Sequence, residues 1–197
     1  MHITFWLKTH RAFTFYSSLC LILALTSTLR LWGLGDIDDR ILDETSIPKL
    51  GYAYIIDQKG YPFPLSHPPV SNYLFAASIW GYHQLPWVDA APLGGDFDQL
   101  SPVSYRWLNA VMSCFIPLFA ALIALRLGRS RILALLVCFL IGIEHSILIE
   151  ARVGMNNSHV LFFGLLGCLL ATYSLNSRRK RVWLFSSGVA LGLAAGV

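Results

Sequence analysis

Acidic residues are missing from most of this chain. All eleven Asp and Glu fall between Asp36 and Glu150, in two stretches separated by apolar sequence, and the remaining polar segments carry only basic charge. Cysteine is also scarce. Cys20, Cys114, Cys138 and Cys168 each sit inside an apolar run with no CxxC spacing, which argues against a disulfide framework and against a zinc site. There is no low-complexity linker and no internal repeat. The net charge of +4 comes from short basic segments between apolar runs. It has a topological explanation, with attraction to anionic membrane lipid as a corollary, and nucleic acid is not an expected partner.

What the chain has instead is long apolar runs. Ala12–Leu34, Val103–Leu125 and Val160–Leu175 each approach the roughly 20 residues a helix needs to cross a bilayer core of about 30 Å. Ile132–Ile143 is shorter and must borrow flanking residues, and a fifth run starts at Val182 and continues to Val197. The expected fold is all-α, a polytopic transmembrane bundle with about five spans near 12–34, 103–125, 131–144, 159–176 and 182–197. Because the last run is still apolar at Val197, the chain reads as the N-terminal portion of a longer polypeptide.

Basic residues in short loops are retained on the cytoplasmic side. Lys8 and Arg11 precede the first span, Arg126, Arg129 and Arg131 follow the second, and Arg178, Arg179, Lys180 and Arg181 separate the fourth from the fifth. The N-terminus is therefore expected in the cytoplasm, with the acidic stretches 35–102 and 144–158 on the outer face. A cleaved signal peptide competes for the first run, but that run is long for an h-region and ends in Leu-Arg-Leu-Trp with no small-residue cleavage site. An uncleaved anchor is expected.

The first outer stretch is far longer than the usual 2–8-residue helix connection, and its Tyr, Trp, Phe, Ile and Leu content argues against disorder. Within it, His67-Pro68-Pro69 precedes Val70–Tyr82, an apolar segment too short to span. Val70, Tyr73, Leu74 and Ala77 recur at helical spacing, with Ser71, Asn72 and Ser78 on the other side. Proline suits the first turn of a helix, where its missing N–H would have had no partner. A short helix lying in the headgroup region is expected, anchored by Trp80 and Tyr82.

Ionic residues bracket these outer stretches: Arg30, Asp43-Glu44, His67, Arg106, and Glu150-Ala151-Arg152 followed by Asn156-Asn157. Each has a bland explanation. A boundary arginine can snorkel to headgroups, Asp36, Asp38 and Asp39 read as solvated loop charges, and a single histidine is more often structural than a ligand. Taken in order, with Tyr105 before Arg106, the set resembles the dolichyl-phosphate-mannose protein O-mannosyltransferases, and more broadly the polyprenyl-phosphate-sugar glycosyltransferases of the membrane-embedded GT-C class. The resemblance runs from about Arg30 to Leu175. It implies a bundle of about a dozen helices in the whole enzyme, an extracytoplasmic site beside the long first loop, and inverting transfer of one sugar, mannose or a related hexose, from a lipid-linked phosphate to an acceptor hydroxyl on protein, glycan or lipid.

The residues suit that chemistry. A hydroxyl attacking an anomeric carbon needs its proton removed, for which Asp43 is the candidate base and Glu44 its support. The departing lipid phosphate gains negative charge, and guanidinium forks at a water-poor boundary stabilise it, so Arg30, Arg106 and Arg152 form a candidate phosphate clamp with His67 beside it. Two positions depart from the mannosyltransferase pattern. Asn157 stands where an aspartate is expected, with Glu150 as a partial substitute, and Val-Ser-Asn-Tyr after the His-Pro-Pro lacks a nearby lysine. The first departure weakens any case for a divalent metal, which favours anionic oxygen, and no cofactor is implied. Both departures point to a looser relative in a bacterial plasma membrane. A transporter or flippase would place charge near the midplane, and a non-catalytic membrane subunit would need no arginine–carboxylate set. Gly188, Gly192 and Gly196, four apart, permit close helix packing.

Overall fold

The computed structural model describes residues 2–37, 39–56, 69–90 and 92–197, with side chains from Ala12 onward apart from Leu42. Every regular element among the described residues is helical. In chain order they are α1 (His2–Leu31), a 3-10 turn (Leu42–Thr45), α2 (Ile47–Ile55), α3 (Val70–His83), a second 3-10 turn (Phe97–Gln99), α4 (Val103–Cys114), α5 (Ile116–Gly128), α6 (Arg131–Ile143), α7 (His145–Arg152), α8 (Asn157–Ser174) and α9 (Lys180–Ala195).

Among the described residues, three helical stretches are long and apolar enough to cross a membrane: Ala12–Leu31, Val103–Gly128 and Asn157–Ser174. The second joins α4 to α5 through Phe115. A fourth crossing results if α6 and α7, bent by 55° at Glu144, count as one. α9, at 16 residues, lies below the usual crossing length. The bend has a local cause. Glu144 adopts extended backbone and its carboxylate accepts the Ile147 N–H at 2.8 Å, capping a new helix. Much of the expected second outer loop, 144–158, is therefore the helix α7.

Two cores hold the molecule together. Phe15, Leu19, Ala121, Ala134 and Cys138 pack α1, α5 and α6 against one another. Ile47, Tyr52, Phe75, Ile79, Phe97, Leu100 and Tyr105 form the centre of a second lobe built on α2, α3 and the start of α4. Where α1 crosses α6, a Cβ on Gly142 would lie 2.5 Å from Thr26 Cγ2, so only glycine lets the two backbones come so near. Between α8 and α9 the tight approach is at Gly167, whose carbonyl accepts the Ser187 hydroxyl at 2.8 Å. Gly188 and Gly192 face open space, contrary to the packing expected of their spacing.

α3 matches its expected position and turns its faces as a membrane-contacting helix should. Ser71, Asn72, Phe75, Ser78 and Ile79 point into the protein, while Tyr73, Ala77 and Trp80 are exposed. Ser71 Oγ meets His159 Nδ1 at 3.1 Å, and Ser78 Oγ donates to the Ser104 carbonyl at 2.9 Å. The polar side is thus satisfied internally, and Trp80, Trp32, Tyr54 and Trp87 are exposed aromatics of the kind enriched at membrane interfaces.

Charge divides the bundle end from end. The basic turns after α5 and after α8 lie together, because Arg126 Nη2 donates to the Thr172 carbonyl, and Arg131 covers the Phe15 ring about midway along α1. The acidic stretches gather at the opposite end. A single cysteine placed at exposed Ser101 is expected to react with an impermeant thiol reagent added to intact cells, and one at exposed Asn176 only after permeabilisation. The four native cysteines, all within helices, set the baseline. The opposite labelling pattern would reverse the orientation.

Candidate functional site

Asp43 and Glu44 sit on the 3-10 turn Leu42–Thr45. Such a turn has about three residues per revolution, so neighbouring side chains diverge by roughly 120°. Glu44 points inward and is fully buried, whereas Asp43 is exposed, with its carboxylate in no ion pair among the described residues. Asp43's carbonyl accepts both the backbone N–H and the hydroxyl of Ser46, which fixes the turn into α2.

Glu44 is held from four directions. Oε1 accepts Arg106 Nε at 2.7 Å and the Gly154 N–H at 2.6 Å. Oε2 accepts Arg106 Nη2 at 2.7 Å and the Ile41 N–H at 2.9 Å, a reach back to the start of its own turn. Arg106 in turn uses its remaining donors on the loop: Nη1 reaches the carbonyls of Leu34 and Ile37 at 3.2 and 2.7 Å, and Nη2 that of Asp39 at 3.1 Å. All five guanidinium N–H groups are thereby engaged. Arg106, expected in a phosphate clamp, here has its fork filled by Glu44 and three carbonyls.

The other arginines are also bound to carbonyls. Arg30 is fully buried among α1, α4 and α6, where Nε donates to Ser113 Oγ and Nη1 to the carbonyls of Thr26 and Gly142. It is enclosed by protein and lies away from the boundary surface expected for it. Arg152 donates to the carbonyls of Leu29 and Gly33 at 2.9 and 3.2 Å, placing a cation on the unsatisfied C-terminal end of α1. It alone of the three keeps appreciable exposure, and it lines a cavity of about 150 Å³ with Gly33, Ile37, Ile41, Ile149 and Arg106. Glu150 and Asn157 meet directly, Asn157 Nδ2 donating to Oε1 at 2.9 Å on the surface. His67 lies outside the described residues.

Three contributors were not anticipated. Gly154 brings the second outer segment onto Glu44, and a Cβ there would sit 2.8 Å from Tyr105 and 3.0 Å from Pro48, so the N–H can reach Oε1 only because the residue has no side chain. Arg40 pairs with Asp98 at 2.9 Å and covers the Phe97 ring at 4.6 Å, tying the acidic loop to the second 3-10 turn. Tyr52 accepts the Gly94 N–H and donates to the Gly95 carbonyl. Beside it lies a cavity of about 500 Å³ lined by Lys49, Tyr52, Ile56, Gly94, Gly95 and Asp96. In the sequence only the glycine pair and the aromatic content hint at these roles.

The chain is similar to known proteins over nearly its whole length. The profile of the family described as dolichyl-phosphate-mannose-protein mannosyltransferase matches residues 20–197. Dolichyl-phosphate-mannose–protein mannosyltransferase 6 of Saccharomyces cerevisiae is 24% identical over 193 residues, a match covering 90% of this chain and 24% of that protein. The solved structure of the S. cerevisiae protein O-mannosyltransferase Pmt1-Pmt2 complex bound to the sugar donor superposes with a TM-score of 0.76 at 19% identity, over 93% of this chain and 25% of that one. The fold is therefore shared, and the chain spans about a quarter of the length of these relatives. Both come from a eukaryote and lend no support to the expected bacterial membrane.

The Glu44–Arg106 pair makes a stability prediction. Removing one partner of a buried, hydrogen-bonded ion pair costs about 3–5 kcal/mol. Arg106→Ala should accordingly lower the melting temperature of the detergent-purified full-length protein markedly, and Arg106→Lys, with three donors where there were five, by an intermediate amount. A melting temperature unchanged in Arg106→Ala would show that the pair does not hold the loop.

Proposed function

Since the chain belongs to the dolichyl-phosphate-mannose-protein mannosyltransferase family, we propose that it forms the N-terminal, site-bearing part of an enzyme that moves one mannose or related hexose from a polyprenyl- or dolichyl-phosphate to a protein Ser or Thr hydroxyl, with inversion, on the extracytoplasmic face. The observation that carries this is the pairing of one exposed carboxylate, Asp43, with a neighbour, Glu44, locked to Arg106 and to Gly154. A base must be free to take a proton and must also be held still, and the two residues divide those requirements.

In the proposed step the acceptor hydroxyl attacks the anomeric carbon as Asp43 takes its proton. A new glycosidic bond forms, the bond from the sugar to the lipid phosphate breaks, and the phosphate leaves with the electron pair. Glu44 and Arg106 position the turn that carries Asp43. Arg152, partly exposed beside the smaller cavity, is the arginine best placed to contact the phosphate. The larger, polar cavity begins along α2, directly after Asp43, and offers room on the acceptor side. α9 is proposed as a fifth crossing within the complete bundle.

Asp43→Asn is nearly isosteric but a very poor base. It should reduce transfer by about 10²–10⁴-fold while leaving donor binding and melting temperature intact. The measurement is transfer from radiolabelled lipid-phosphate mannose by full-length protein, with donor binding followed in parallel. Wild-type transfer by Asp43→Asn would remove Asp43 as the base. If Glu44→Gln retained wild-type transfer as well, the enzyme assignment itself would fall.

A further inference from the structure

At the end of the bundle opposite Asp43, two short turns converge. One links α5 to α6 and carries Arg126, Arg129 and Arg131; the other links α8 to α9 and carries Arg178, Arg179, Lys180 and Arg181. None of these seven is in an ion pair among the described residues, and no acidic residue follows Glu150 in the chain. Six of the seven are exposed, and the seventh, Arg126, is partly so.

A topological rule accounts for basic residues at this end, but not for their convergence. That comes from packing. Arg126 Nη2 donates to the Thr172 carbonyl at 3.3 Å, and its guanidinium lies 3.8 Å over the Tyr173 ring. Tyr173 stacks on Trp183 with centroids 5.1 Å apart, and Trp183 Nε1 donates to Ser177 Oγ at 3.0 Å. Ser177 Oγ also accepts the Arg179 N–H at 3.1 Å. The second turn is thereby pinned to the first, and an aromatic pair of the kind enriched at headgroup level sits directly beneath the charges.

The helix ends add to the field. α6 and α9 both begin here, each opening on a basic residue and neither carrying an acid in its first turn. Cations at the positive end of a helix dipole are unfavourable by themselves, and an anion placed there relieves both the dipole and the side-chain repulsion. The position fixes the source of that anion. Flanking faces of α6 and α9 expose Ile132, Leu136, Val182 and Phe185, so the charges border hydrocarbon.

We propose that this basic surface, carrying Arg126, Arg129, Arg178, Arg179 and the Tyr173–Trp183 pair, is a binding site for the phosphate headgroup of an anionic glycerophospholipid in the leaflet opposite Asp43. The guanidinium groups contact the headgroup phosphate, and the exposed apolar faces of α6 and α9 take the acyl chains. Enrichment of anionic over neutral lipid at a surface rises roughly fivefold for each basic residue near it, so a cluster of this size selects strongly.

The test uses full-length protein in nanodiscs of phosphatidylcholine with a minor fraction of phosphatidylglycerol, with the lipids that remain bound counted by native mass spectrometry. Phosphatidylglycerol should be enriched well above its bulk fraction for wild type. Arg178→Gln with Arg179→Gln should reduce that enrichment about 25-fold, while leaving Lys180, Arg181 and the first turn to maintain insertion. Arg126→Gln, a single change that breaks the link to Thr172, should reduce it by a smaller factor. Inorganic phosphate should not displace the bound lipid. No enrichment in wild type, equal enrichment in all variants, or displacement by inorganic phosphate would each overturn the site.

Discussion

The end of this protein that carries Asp43 depends on one buried ion pair. Glu44 and Arg106 come from segments far apart in sequence, and neither charge would be stable in the interior alone. Their mutual attraction compensates only because every remaining valence is filled: Ile41 and Gly154 on the carboxylate, and three loop carbonyls on the guanidinium. The consequence is structural economy. The irregular stretch after α1, which has few backbone partners of its own, is gathered around a single cation, and the second outer segment closes over it through one N–H. A half-satisfied network of this kind would be worse than none, so the loop has one arrangement in which it is stable, and that arrangement leaves Asp43 facing outward.

Much of this organisation was legible in the sequence. The end-to-end division of charge follows from the basic and acidic segments, and the helices over 12–31, 103–128 and 157–174 follow from apolar length. α3 was legible too, from proline followed by helical spacing. The ordered set of charged residues located the family. What it could not reveal was which of them face each other. Arginine at a boundary reads equally as a clamp for a ligand or as a brace for a loop, since a guanidinium satisfies carbonyl and phosphate oxygens with the same fork. Arg106 became a brace because Glu44 and the bare carbonyls of 34–39 lie within its reach, a tertiary fact with no local signature.

α2, Glu144 and Gly154 escaped for different reasons. α2 is nine residues long with two tyrosines, two isoleucines, a proline and a glycine, a composition whose intrinsic helix preference is weak; packing of Gly51 against α3 decides it. The bend at Glu144 comes from a capping interaction at the point where the apolar run ends, which a hydropathy window reads only as the start of a loop. Gly154 reads as an ordinary loop glycine, and its importance appears only once Tyr105 and Pro48 are seen to crowd it.

In the proposed mechanism, the division of labour within the Asp-Glu dipeptide gives the base an acidic neighbour that holds it in place. A residue that must accept a proton cannot also be the residue that anchors the loop, since each oxygen committed to Arg106 is unavailable to an incoming hydroxyl. On an α-helix two adjacent residues would share much of one environment, about 100° apart and backed by a continuous hydrogen-bond ladder. On a four-residue 3-10 turn the wider divergence sends one side chain to the core and the next to the surface. Glu44 transmits the rigidity of the buried network to Asp43 through a single peptide unit, the shortest lever available. A base held in this way keeps its position without losing its access, which is the geometric requirement for removing a proton from a hydroxyl that arrives from outside.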